Sequence, residues 1–114
     1  MYNTDNIFAK IIRGEVPSSK VYEDENLLAI KDMNPVAPVH VLVMPKGPYK
    51  NFSEFSLKAP IGEVAHFFQK ISNIAKDLGL KEYRIVSNNG ESSGQTIFHF
   101  HVHIIAGSKF SKLI

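Results

Sequence analysis

Residues 99–105, His99-Phe100-His101-Val102-His103-Ile104-Ile105, open with imidazole and apolar side chains in strict alternation. Side chains on an extended chain point to opposite faces with period two, so the run reads as a strand. Its three imidazoles share one face, while Phe98, Phe100, Val102 and Ile104 pack on the other. Such a strand needs neighbours for its backbone hydrogen bonds and helices over its apolar face, leaving the histidines to look into a cleft or solvent.

The remaining segments supply those partners. Asp5 is placed to cap a short helix carrying Ile7, Phe8, Ile11 and Ile12, which Gly14 and Pro17 end. Ser19–Tyr22 and Leu27–Lys31 read as a hairpin about Glu23-Asp24-Glu25-Asn26. The stretch from Asp32 to Pro38, with Pro35 and Pro38 three apart, is an ordered loop feeding a third strand, Val39–Met44. After a helical turn near Ser53–Leu57, apolar residues from Ile61 to Leu78 keep helical periodicity, and Gly79 caps that main helix. Tyr83–Ser87 and Ile97–Ala106 are the last two strands. The expected architecture is α+β, a five-stranded, mainly antiparallel sheet with two helices, in one domain over residues 1–114. Phe67 and Phe68, adjacent on the main helix, point about 100° apart, so one core face does not bury both.

Composition narrows the chemistry. The 114 residues contain no cysteine, which removes disulfides, thiolate zinc sites, iron–sulfur clusters and a cysteine nucleophile. Thirteen Lys and Arg against 11 Asp and Glu leave a net charge of +2, scattered along the chain. That argues against a dedicated nucleic-acid groove and permits an anionic small ligand. No apolar run reaches the 18 or so residues that cross a bilayer, and a cytoplasmic location is the default expectation.

Three alternating imidazoles support two chemistries. Two of them can share a zinc ion that activates water, although the nearest acid in sequence, Glu91, lies eight residues upstream of the first. Alternatively a neutral imidazole attacks phosphorus and forms a phosphohistidine that water releases. Crowding the rings disfavours protonating all of them near neutral pH. Every residue of the connection Asn88–Thr96 is small or polar, and the amides around Gly94-Gln95-Thr96 can form an anion-binding nest. His66, on the main helix beside its apolar stripe, reads as a structural histidine.

The run from His99 to Ile105 resembles the signature of the histidine triad (HIT) family. The wider match, through Asn6–Ile12, Asp32–His40, Met44-Pro45-Lys46, Asp77–Leu80 and Asn88-Asn89-Gly90 with Gly94-Gln95-Thr96, resembles its Hint branch, the purine nucleoside phosphoramidases. The resemblance implies a metal-free hydrolase, without a cofactor, that cleaves nucleoside 5′-phosphoramidates of the AMP or GMP type through a nucleotidyl-histidine intermediate. By position, His101 is the nucleophile, His103 bonds phosphate oxygens, and His99 and His40 orient the network. Asn88, Gly94, Gln95 and Thr96 fall at the phosphate and sugar contacts and Asp32 at the ribose. Ile7, Phe8, Ile11, Ile30 and Met33 match the slot for the base. Relatives pair so that two five-stranded sheets join into ten strands, which implies a homodimer. The chain departs from the branch in lacking the Trp-Pro-Pro-Gly segment after the triad, and its Ala106-Gly107 stands where dinucleotide-cleaving relatives have Pro-Arg. The short tail keeps a second reading open, a nucleotide-binding module acting through protein partners.

Overall fold

The computed structural model describes residues 1–113. In chain order they form α1 (Ile7–Ile12), β1 (Lys20–Glu23), β2 (Leu27–Lys31), β3 (Val39–Pro45), α2 (Phe52–Lys58), α3 (Ile61–Asp77), β4 (Arg84–Val86), a 3-10 turn at Glu91–Ser93 and β5 (Val102–Ala106). The five strands make one sheet in the order β1-β2-β3-β5-β4, with every neighbouring pair antiparallel. The expected α+β architecture is the observed one. Among the described residues no helix is long and apolar enough to cross a membrane.

Both faces of the sheet are covered, and unequally. Leu27, Ala29, Val41, Val43, Val102 and Ile104 turn to one side, where α2 and α3 add Phe55, Phe67, Ile71 and Ile74 to the larger core. Leu28, Ile30, Leu42 and Met44 turn to the other side and meet Phe8 and Ile11 of α1 in a smaller one. The second face is the histidine face, because Leu42 pairs with His103 and His40 with Ile105. The expectation of helices on the apolar face alone is corrected by α1. Phe67 is buried and Phe68 half-buried against the larger core.

Two local expectations also shift. The cap of α1 is Asn6, not Asp5: its side chain accepts from the Ala9 amide at 2.9 Å. The last strand begins at Val102, five residues later than its alternation suggests. On one side β4 ends at Val86, opposite His103; on the other β3 runs on to Pro45, which has no N–H to donate to a continued ladder. Residues 97–101, which bend at Ile97 and His99, find other partners. Phe100 N–H donates to Tyr49 O at 2.7 Å, and the Ser87 hydroxyl donates to His101 O at 2.9 Å. Phe100 is locked by stacking on Phe55, with ring centroids 4.9 Å apart.

Candidate active site

Leaving the sheet before Val102 brings the histidines to different depths. His99 is 1% exposed, whereas His101 and His103 are half-buried and line a cavity of about 400 Å³. The size is that of a small-ligand site. Ile7, Phe8, Ile11, Ile30, Asp32, Met33, Asn88, Gly94, Gln95 and Thr96 line the same cavity, so every residue expected at a nucleotide meets there. His99 and His40 stand behind the wall. His99 is therefore not turned to cleft or solvent as its alternation suggests, because Tyr2 and Phe8 cover it with edge-on rings.

The partners of each imidazole fix its tautomer. A carbonyl oxygen accepts only, so His99 Nε2–H donates to Pro45 O at 2.7 Å, and His99 Nδ1 accepts from the Tyr2 hydroxyl at 2.5 Å. His101 Nδ1–H donates to His99 O at 2.7 Å, which leaves the lone pair of that ring on Nε2. Val36 N–H donates to His40 Nδ1 at 3.1 Å, so the His40 proton sits on Nε2 and is given to His103 Nδ1 at 2.8 Å. His103 then carries its own proton on Nε2. The two cavity-lining rings thus differ: His101 offers a lone pair, His103 an N–H.

Burial favours the neutral form of His99, His101 and His103. It pushes His99 down to about 4, with the Pro45 carbonyl opposing and His101 adding to the effect. It takes His103 to about 4 as well, helped by His101 and His40 against Asp32. His101 is lowered too, by burial working against the His99 carbonyl and Asp32. Crowding contributes, but desolvation is the larger cause.

Asp32 was invisible as a neighbour in sequence, yet its Oδ2 lies 3.3 Å from His40 Nε2. Asp32, His40 and His103 carry donor atoms within 4.8 Å of one another. A cation there would need the His40 Nε2 lone pair. That moves the ring proton to Nδ1, head-on to the Val36 N–H, so the hydrogen bonding works against the metal reading.

The loop departs from the expected nest. Gly94 N–H and Gln95 N–H are spent on Glu91 O at 3.0 Å and Gly90 O at 3.1 Å; Thr96 N–H has no backbone partner among the described residues. Gln95 is 3% exposed, and its amide ties Gly90 N, Lys50 O and Ile97 O together. It shapes the cavity wall. Gly94 has φ +99°, and a Cβ there would meet the Asn88 amide at 3.6 Å. His66, as expected, is structural: its Nε2 meets Asp24 Oδ2 at 2.8 Å, joining α3 to the β1–β2 turn.

Comparison with known proteins agrees with this arrangement. The HIT domain profile matches residues 13–110. A HIT-like protein of Rickettsia prowazekii is 53% identical, over 100% of this chain and 97% of its own length. The solved structure of a HIT family hydrolase from Clostridium thermocellum is 39% identical with a TM-score of 0.89, covering 98% of this chain and 99% of that one. A histidine triad protein from Clostridium difficile is 42% identical with a TM-score of 0.86, over the full length of both. The alternating histidines, the antiparallel sheet that carries them and these matches make the chain a member of the HIT family.

Proposed function

We propose that the protein is a purine nucleotide hydrolase that cleaves the phosphorus–nitrogen bond of nucleoside 5′-phosphoramidates through a covalent intermediate on His101. The observation that carries this reading is the bond from His101 Nδ1–H to His99 O. It holds an unprotonated Nε2 on the ring that lines the cavity. Attack forms a bond from His101 Nε2 to the α-phosphorus as the phosphorus–nitrogen bond breaks, the amine taking a proton from solvent water as it leaves. Water then cleaves the phosphohistidine and returns the free imidazole and a nucleoside monophosphate. His103 Nε2–H serves as donor to a non-bridging oxygen, where charge builds. Thr96, with its hydroxyl and its N–H, and Asn88 are the further donors for the phosphate.

The apolar end supports a base. Phe8, Ile11 and Ile30 are buried and already have a role in the smaller core, but Ile7 is 41% and Met33 91% exposed. Exposed apolar side chains on a cavity lip suit the flat face of a purine, with Asp32 toward the ribose hydroxyls. The enzyme is further proposed to act in the cytoplasm as a homodimer.

The test is release of AMP from adenosine 5′-phosphoramidate in excess EDTA, alongside His101→Ala. Turnover by the wild type alone is expected, with AMP still bound by the variant. Activity that vanishes in EDTA would instead favour a metal at Asp32, His40 and His103, and AMP binding with no turnover would favour a binding module.

A further inference from the structure

We propose that Tyr2 is a positioning residue, holding the His99 ring so that the His99 carbonyl keeps His101 in its nucleophilic tautomer. Its kinetic consequence rests on the function proposed above. Tyr2 lies 97 residues from His99 in sequence, yet its hydroxyl donates to His99 Nδ1 and its ring stands edge-on to the imidazole, with centroids 5.6 Å apart. The segment bearing Tyr2 is anchored at Asn3 and Thr4. Asn6 Nδ2 donates to Asn3 O at 2.7 Å, and Arg13 Nη1 to Thr4 O at 2.8 Å.

His99 has one remaining hydrogen-bonding atom once Pro45 O takes its Nε2–H, and only Tyr2 satisfies it among the described residues. Removing the hydroxyl strands a buried acceptor, and the ring must turn or admit water to recover a partner. The ring and the carbonyl belong to one residue that lies outside the strand ladder, so the backbone is free to shift with the ring and take with it the oxygen to which His101 Nδ1–H donates. Loosening this bond lets the His101 proton sit on Nε2, where it blocks the lone pair. Phe8, edge-on to both His99 and His101 with centroids at 6.4 and 4.8 Å, leaves the two rings little room to move independently.

Tyr2→Phe keeps the aromatic cover and deletes only the donor. The measurement is 15N NMR of the imidazoles at neutral pH, with kinetics on adenosine 5′-phosphoramidate. In the wild type His101 is expected to be protonated at Nδ1. In Tyr2→Phe its population shifts toward Nε2–H, and kcat falls about tenfold while KM stays within about twofold. A merely structural Tyr2 would lower the melting temperature and leave His101 alone, so superimposable His101 resonances in the folded variant overturn the proposal. If the wild type shows no turnover, the substrate assignment fails while the His101 resonances still decide the role of Tyr2.

Discussion

At the residue scale the four histidines of the network form two linked pairs, each ending at a ring on the cavity. His40 sets His103, and His99 sets His101 through its carbonyl. The neutrality of His99 and His103 has a thermodynamic signature. His99 and His103 titrate at about 4 in the fold, against about 6.5 in the unfolded chain. Between those values the unfolded chain binds more protons. The stability from these groups is therefore fully present above about pH 6.5 and is lost as pH falls toward 4. We expect the urea midpoint to drop between pH 7 and pH 5, with buried His99 alone contributing on the order of 2 kcal/mol. An unchanged midpoint would mean that the rings are not held neutral. Carboxylates do not confound this window: Glu23, held at about 2 by Lys20 and Lys46, acts below it. The alternation of residues 99–103 made three of these histidines legible, and family resemblance supplied His40. Tyr2 and the closeness of Asp32 to His40 were not legible, because chain folding brings them together from distant positions.

At the scale of elements, the segment from Ile97 to His101 shows where periodicity misleads. Period two puts Phe100 in the larger core as expected, but it also expects an open His99, which is covered, and a packed Phe98, which is 36% exposed; it cannot tell where the ladder stops. Proline at position 45 was the available clue. With no ladder to hold it, the segment depends on Phe100, which stacks on Phe55 and lies 5.4 Å from the Phe67 centroid. Phe100→Ala should cost about 3–5 kcal/mol and free the histidines on either side of it. Differential scanning calorimetry together with the His101 NMR signals would check both parts. A loss confined to stability would show that residues 97–101 are held by hydrogen bonds alone. The helices were legible because their apolar spacing is long and regular, as in α3, whose Gly79 has φ +76° at the expected stop.

For the whole molecule, the sheet ends at β4, three residues long, where Ile85 is 51% exposed beside a second hollow lined by Phe52, Phe68 and Val102. A bare edge strand with apolar neighbours is a template for pairing. Light scattering at micromolar concentration should give twice the chain mass of 12.8 kDa, and Ile85→Glu should reduce it to the monomer value. A monomeric wild type would count against the dimer. The unequal cores on the two faces have a separate consequence. The proposed base slot draws on the thin layer under α1, whereas the larger core lies under α2 and α3 on the reverse of the sheet. Exposed lip residues such as Met33 and Ile7 are thus decoupled from that larger core. Ligand preference can drift by substitution on one side while the scaffold on the other stays intact, which makes this architecture tolerant of evolutionary retuning.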